Sequence, residues 1–453
     1  MSPESAGRLL VVGFSPAMAR GLDAFRSPDS VIFLEEPSVA RGRDAHAFLT
    51  AIASCSQLIE WEYQREDAAD EFFLSDSFTS GPLRAGVSAV LPGVEYATAF
   101  AARLAERLGL PNAGLGAAQM MHDKARLRRV SAAAGVPNPI SERVDGPEAV
   151  IAMLARVGGP VIVKPAGRQA AVGVSRVDSP AEAAEAYRFA VAGEEGVVAP
   201  ERGIASEVLA EQYIAGEEFS VEMLVGKGKP LFSNVTAKDL FEGPRPIERG
   251  HVLPVDDRPE LVEALTELTV RVLRAAAFDT GIVHCEWIVS PQGPYLVECA
   301  GRVPGDGITV LLELAWGDNL LARYVELLEG RLNSQTTRRL PERYAAVAFA
   351  ACDPGTVRSI SGLEQAGAVE GVVTAAALVA VGASVQGLRS SWDRVAMAIA
   401  VGATADQAKA KAAGALSMIA VEVEPPTDAG LVPADAPSSS AAGVFATAGT
   451  GSA

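Results

Sequence analysis

Two glutamates, Glu286 and Glu298, sit in strand-forming runs on either side of a Ser-Pro-Gln-Gly-Pro cluster, Ser290–Pro294. Such a cluster turns the chain, and the Val, Ile, Trp and Tyr around it favour strands. A β-hairpin is predicted. With the turn centred on Gln292, Glu286 falls opposite Glu298 and His284 opposite Ala300. Side chains alternate faces along a strand, so His284, Glu286, Glu298, Ala300 and Arg302 share one face. Directly opposed Cβ atoms lie about 4.5–5.5 Å apart. Carboxylates that close repel unless a cation lies between them or one takes up a proton. A hard cation with oxygen ligands, typically Mg²⁺ carrying phosphates, suits such a pair. A solvated face of an edge hairpin would look the same, so other residues must decide.

Cations recur upstream. Lys164 closes the strand pattern Val161–Lys164, and a small-residue loop with Gly167 and Gly173 leads to a second strand at Val174–Val177. Such a loop can fold over a polyphosphate, with backbone N–H groups and one ammonium meeting the charge. Lys124 falls early in a helix predicted over Gln119–Ala134, ended by Gly135 and Pro137. Val208–Leu224 reads as strand, turn at Ala215-Gly216, and strand, with Glu211 and Glu218 beside the turn. Lys238 lies among polar residues in Ser233–Leu240. Glu248 and His251 fall in a loop predicted over Ile247–Val255. The stretch Gly301–Gly307, with Gly305 inside it, runs into a helix over Ile308–Leu314. A helix N-terminus favours anions.

These residues need a scaffold. Arg8–Phe14, Val31–Pro37, Gln57–Tyr63 and Val87–Gly93 read as strands, with helical spacing between them and over Glu95–Leu108. That alternation implies βαβ units and a parallel sheet. No GxGxxG pattern occurs in it. The unit is expected to support a site rather than hold a dinucleotide. Arg258–Ala277 reads as an amphipathic helix, and a third unit begins at Leu340. Its strands are predicted at Tyr344–Ala351, Gly371–Val381 and Val395–Gly402, with a helix at Ala405–Met418 and no charged constellation. Pro425–Ala453 is rich in Ala, Ser, Gly, Thr and Pro, a composition expected to stay disordered.

The bulk properties exclude some classes. A chain of 453 residues, 49% hydrophobic, is long enough for several domains with sizeable cores. A formal charge of −17 argues against nucleic acid as a partner, since phosphate backbones need a basic face. Cys55, Cys285, Cys299 and Cys352 match no zinc spacing. Cys285 and Cys299 oppose each other in the hairpin, and buried free thiols in a reducing cytosol are the expectation. No uncharged apolar run approaches the ~18 residues of a membrane span. The start, MSPESAG, lacks the charged and apolar regions of a signal peptide. A cytoplasmic protein without membrane or nucleic-acid partners is expected.

Taken in order, MHDKARL, VIVKP, the glycine loop, EQYIAGEE, TAK, ERGHVLP and HCEW…LVECAGRVPGD resemble the ATP-grasp superfamily. More narrowly, they resemble its carboxylate–amine ligases, including bacterial L-amino acid ligases. The resemblance covers roughly residues 8–420. It implies a mixed α/β and α+β fold: a Rossmann-like N-terminal α/β domain over 1–117, ATP-grasp domains over 118–335, and a C-terminal α+β domain over 336–424, followed by the tail at 425–453. The phosphate-loop lid would span about 136–208. The implied activity is amide or peptide bond formation through an acyl phosphate, with ATP and Mg²⁺ (or Mn²⁺) as cofactors, small carboxylates and amines as substrates, and a homodimer as an admissible assembly.

By the same resemblance, Lys124 and Lys164 contact nucleotide phosphates, with Gly173 in the lid. Glu211–Ile214 form the adenine hinge, Gln212, Tyr213 and Ile214 reading the base through backbone groups. Glu218 holds the ribose, Lys238 meets the terminal phosphates, and Glu286 and Glu298 ligate Mg²⁺. Arg302, with Lys238 and His284, serves the transferring phosphoryl group. Glu248, His251, Arg302 and Gly305 meet the substrates. The chain departs from the family at Ala300, where a metal-ligating Asn is usual, and at Ala170-Ala171, where the loop lacks its usual Ser. His284 stands where many relatives carry a basic residue, and as a neutral imidazole it would only donate a hydrogen bond. Trp287, Trp316 and Phe241 are candidates for lining the substrate pocket. A bicarbonate-using carboxylase and a catalytically degenerate nucleotide-binding protein are the alternatives.

Overall fold

A computed structural model describes residues 7–332 and 340–425, except 81, 82, 84, 85, 194, 197, 198 and 203–206. Apart from Pro425, the expected tail therefore lies outside the described residues. Four strands form the first sheet: β1 (Arg8–Val12), β2 (Val31–Glu35), β3 (Cys55–Glu60) and β4 (Val87–Pro92). Their order is β3-β2-β1-β4 and every pairing is parallel. The β2 run VIFLE is buried throughout, as a parallel sheet covered on both faces requires. The carboxyl ends of β1, β2 and β4 open into a cavity shared with the rest of the molecule.

The second sheet, ordered β5-β8-β6-β7, is antiparallel. It comprises β5 (Ser141–Val144), β6 (Val161–Pro165), β7 (Ser175–Val177) and β8 (Val208–Gln212). Helices Pro147–Val157 and Ala183–Ala192 cover its other face and close a small core around Val150, Met153, Val163 and Ala186.

An eight-stranded antiparallel sheet forms the centre. It runs β13-β12-β9-β10-β11-β14-β18-β16, built from β9 (Glu217–Gly226), β10 (Lys229–Leu240), β11 (Glu248–Leu253), β12 (Gly281–Ser290), β13 (Gly293–Ala300), β14 (Tyr344–Ala350), β16 (Val372–Ala377) and β18 (Ala396–Gly402). A small sheet of β15 (Gly355–Ser361), β17 (Ser384–Val385) and β19 (Ala420–Glu424) lies beside it. Because β11 pairs with β14, the sheet continues across the boundary expected at residue 336. The largest core joins Phe14, Leu22 and Phe33 of the first unit to Leu311 and Tyr324 of two helices, and to Phe349, Met397 and Ile399 of the sheet. Each such fully buried side chain contributes roughly 1.5–3 kcal/mol of transfer free energy.

Three local expectations are corrected. Glu248–Leu253 is a strand held on both sides, by β10 and β14, not a loop. The single helix predicted over Gln119–Ala134 is two, Leu115–His122 and Lys124–Ala133. The break is Asp123, whose extended backbone and carboxylate cap the second helix through the N–H groups of Ala125 and Arg126. The hairpin turn is one residue tighter than expected, with Ser290 paired to Gly293. A bulge at Val297 restores the register, so Glu286 still faces Glu298 and His284 faces Ala300. Without it Glu298 would point to the opposite face. Cys285 and Cys299 are opposed, buried and free.

Candidate active site

A cavity of about 700 Å³ lies where the three sheets meet. Of the residues assigned a role from the sequence, all line it except Gly173 and the aromatic candidates Trp287, Trp316 and Phe241. Gly173 works at the loop's back: with φ +71, a Cβ there would press on Pro165 and Ala190 at 3.1 and 3.2 Å. Glycine is required there by packing and by its left-handed backbone. Gly216, in the hinge turn, is required by approach, since a Cβ would sit 2.3 Å from the Val289 carbonyl oxygen.

The central sheet sets the polar floor. Glu218 pairs with Lys238 across β9 and β10, and Lys238 with His251 across β10 and β11. Lys238 Nζ contacts Glu286 Oε1 and lies 3.3 Å from Glu248 Oε1. Burial alone would depress the ammonium, but Glu286, Glu248 and Glu218 outweigh it and hold Lys238 firmly charged. Glu286 is correspondingly pulled well below the usual carboxylate range by Lys238 and His284 against its burial. Glu218 goes the other way. Burial, aided by Glu286 and Glu248 against Lys238, pushes it up to about 7.

His284 sits between two carboxylates, Nδ1 3.0 Å from Glu222 and Nε2 3.0 Å from Glu286. Burial opposes its charge, but the two carboxylates raise its pKa to about 9. A carboxylate at each ring nitrogen favours the charged imidazolium over the neutral donor expected from the sequence. Glu222 is wholly buried and also accepts hydrogen bonds from Ser220, Asn234 and Thr236.

The lid side is equally ordered. Lys124 Nζ bridges Glu298 Oε2 at 2.8 Å and the Arg168 carbonyl at 2.7 Å. Its backbone N–H donates to the Ala166 carbonyl, pinning the loop's base. Ala170 and Ala171 both adopt left-handed φ of +56, uncommon for residues with a Cβ. The Ala170 carbonyl accepts the Ser391 N–H at 3.0 Å, so the third unit clasps the loop. Lys164 and Arg128 share buried Glu211, at 2.6 Å and through a two-pronged pair at 2.9 and 3.0 Å. Burial would raise Glu211, yet Arg128 and Lys164 bring it down to about 2. Arg128 also donates to the carbonyl of the bulged Val297 at 2.7 Å, so the residue that orders the hinge strand also fixes the bulge that aims Glu298. In the hinge, the N–H groups of Gln212 and Tyr213 already donate to Ile140 and Pro160 carbonyls. Those two donors are therefore used within the fold.

Arg302 Nε donates to Glu95 Oε2 at 3.0 Å. Glu95 follows β4 and is buried. Burial pushes its pKa up, but the hydrogen bond from His122 and the charges of Arg302 and Lys124 win and bring it to about 2. The rings lining the cavity include Tyr63, Tyr96, Tyr213, Tyr295, Phe349 and Trp392. Trp287, Trp316 and Phe241 are core residues instead: Trp287 is fully buried with its indole N–H on Thr269, and Trp316 packs edge-on to Phe232.

Sequence reasoning missed Glu95, Arg128, Glu222, Ser391 and Arg394. Glu95 had a signal, since it lies past the carboxyl end of a parallel strand, where α/β sheets bind ligands. Arg128 had one too, at i+4 from Lys124 on the same helical face. The third unit, expected to carry no charged constellation, supplies Arg394.

The donor set decides what cation fits. Among the described residues, no group of three His, Cys, Asp or Glu side chains converges as a complete metal site. Glu286 and Glu298 are opposed, and Ala300 adds no donor. Two carboxylates suit a hard divalent ion that keeps water and brings phosphate oxygens as its other ligands. They do not suit a protein-only cage.

Comparison with known proteins gives the family and the fold. Residues 157–310 match the ATP-grasp domain family, and residues 347–424 match the L-amino acid ligase C-terminal domain 2. The D-alanine–D-alanine ligase of Gloeobacter violaceus is 31% identical over 218 residues, spanning 46% of this chain and 68% of that protein. The phosphoribosylamine–glycine ligase of Leifsonia xyli is 29% identical over 344 residues, covering 70% of this chain and 77% of the relative. The fold resembles the crystal structure of L-amino acid ligase from Bacillus licheniformis, with a TM-score of 0.73 at 19% identity over 92% of this chain and 99% of that one. The fold is that of the ATP-grasp enzymes. The chain belongs to their carboxylate–amine ligases. No helix among the described residues is long and apolar enough to cross a membrane.

Proposed function

We propose that this chain activates an amino-acid-like carboxylate as an acyl phosphate and joins it to an amine, releasing ADP and phosphate. One observation carries the reading: Lys124, Lys164, Lys238, His284 and Arg302 converge with opposed Glu286 and Glu298 in a single cavity. A carboxylate oxygen is a poor leaving group. Transfer of the γ-phosphoryl group to it yields ADP and an acyl phosphate, whose phosphate then leaves as an amine nitrogen bonds the acyl carbon. The amine proton is lost in the same step. Phosphoryl transfer depends mainly on positioning and charge neutralisation, and the cations here supply both.

In this reading Lys124 and Lys164 bind the nucleotide phosphates and Lys238 the terminal one. Glu211 holds Lys164 in place, Ile214 with the hinge carbonyls reads the base, and Glu218 receives the ribose hydroxyls. Glu286 and Glu298 would hold Mg²⁺, which when bound neutralises charge on the transferring phosphoryl group. Arg302, aimed by Glu95, faces the acyl phosphate. Glu248 and His251 meet the substrate amino and carboxylate groups, with Gly305 beside them. The loop 166–174, clasped by Ser391, excludes water from the acyl phosphate. The domain limits expected from the sequence serve this reading as functional units, with the third unit closing over the site. The test is a pairwise screen of the twenty proteinogenic L-amino acids with ATP and Mg²⁺, reading phosphate release and product mass, with bicarbonate as a separate arm. Amino-acid-dependent phosphate with a matching amide supports the proposal. Phosphate release that follows bicarbonate alone overturns it.

A further inference from the structure

Arg394 precedes β18 in the third unit, far from every motif of the site, yet it reaches the cavity. It is 6% exposed and its guanidinium is fully engaged. Nη1 lies 3.0 Å from Asp306 Oδ2, and Nη2 contacts Asp306 Oδ1. Nε donates to the Ser391 carbonyl at 2.8 Å, and Nη1 also reaches the Glu248 carbonyl at 3.4 Å. The guanidinium lies 3.8 Å from the Phe349 ring centre. Asp306 in turn lies 3.0 Å from His251 Nε2, and His251 packs edge-on against the same Phe349 ring. Ser391 Oγ donates to Glu248 Oε2 at 2.8 Å. His251 Nδ1 is buried without a hydrogen-bond partner.

We propose that Arg394 is a positioning residue for the amine-accepting half of the reaction, locking Asp306 onto His251 and, with Ser391, fixing Glu248. The inference rests on the ligase reading of the cavity. Three features favour it over a plain structural clamp. First, the same few side chains hold both β11 residues that face the substrates. Second, Asp306 sits between Gly305 and Gly307 with φ +57, a left-handed backbone uncommon for a residue with a Cβ. Third, the four acceptors around Arg394 need the flat, five-donor fork of a guanidinium; an ammonium keeps the charge but cannot span them. An ionised Asp306 accepting from Nε2 leaves the Nδ1 lone pair as the imidazole's open position. The third unit then completes the site instead of merely covering it.

The test compares wild type, Arg394→Lys and Arg394→Met as full chains, with ATP, Mg²⁺ and an equimolar mixture of the twenty proteinogenic L-amino acids. Hydroxylamine traps an acyl phosphate as hydroxamate without needing an ordered amine site. Total dipeptide, without hydroxylamine, needs that site. In Arg394→Lys the dipeptide yield should fall about 10²-fold more than the hydroxamate yield, since misplacement by about 1 Å can cost that much. A parallel fall of both products, or no fall, overturns the proposal. A second arm needs no substrate: nitrogen-15 NMR of labelled histidine, with His251 assigned by a His251→Gln variant. Wild type should show the His251 proton on Nε2, and Arg394→Met should show mixed tautomers. An unchanged His251 signal in Arg394→Met overturns the proposal. Absence of both hydroxamate and dipeptide in wild type would overturn the ligase reading instead, and the NMR arm alone then decides this one.

Discussion

Glu95→Gln removes one charge and almost no volume, which makes it a sharp probe of how the first unit aims Arg302. The carboxyl is held at about 2 against an ordinary 4.5. At 1.36 kcal/mol per pKa unit, that difference corresponds to roughly 3 kcal/mol between its ionised and neutral forms. A depressed pKa contributes stability that is present above about pH 4.5 and lost as pH falls toward 2. Glutamine mimics the neutral form. The variant should therefore be less stable than wild type at pH 7 by up to about 3 kcal/mol, and the gap should narrow below about pH 4.5. Urea unfolding at pH 7 and pH 4 measures this. Arg302 also loses the charge of its 3.0 Å partner and keeps at most a neutral amide acceptor, so turnover should fall by about 10²-fold as the guanidinium wanders. A variant as stable as wild type at pH 7, with turnover within about twofold, would refute the reasoning that Glu95 is a charged anchor.

Two further outcomes follow from the same geometry. Glu298→Gln should lower Mg²⁺-dependent phosphate release by about 10²–10³-fold while circular dichroism stays native, because Lys124 keeps its second partner, the Arg168 carbonyl; near-normal turnover would contradict the metal-site assignment. Deleting residues 426–453 should leave both melting temperature and turnover unchanged, because that composition is poor in large apolar residues; a clear loss of either would show that the segment docks.

What the sequence carried was local. The hairpin, the hinge strands and the lysine at the end of β6 each had a periodic or turn signature, and their order along the chain pointed to the family. The turn at Pro291-Gln292 was misread by one residue, and the Val297 bulge cancelled the error. No local signal marks that bulge, because what holds it is Arg128, distant in sequence. The break at Asp123 was hidden by helical spacing on both sides, since a capping aspartate costs nothing in a hydrophobicity pattern. Glu95, Arg394 and Ser391 act through contacts that only the assembled fold creates. The aromatic side chains differ from expectation for a related reason: Trp287 points from β12 to the face away from the cavity.

The central claim, an acyl phosphate formed at the terminal phosphate of ATP, has one direct measurement. Carboxyl oxygens of the amino-acid substrate are labelled with oxygen-18, and the released phosphate and nucleotide are analysed by mass spectrometry. Lys238, Glu286, His284 and Arg302 gather charge where it develops around the γ-phosphoryl group. The expected result is ADP without AMP, and one label in each phosphate released. Unlabelled phosphate, or AMP with pyrophosphate, would contradict the account.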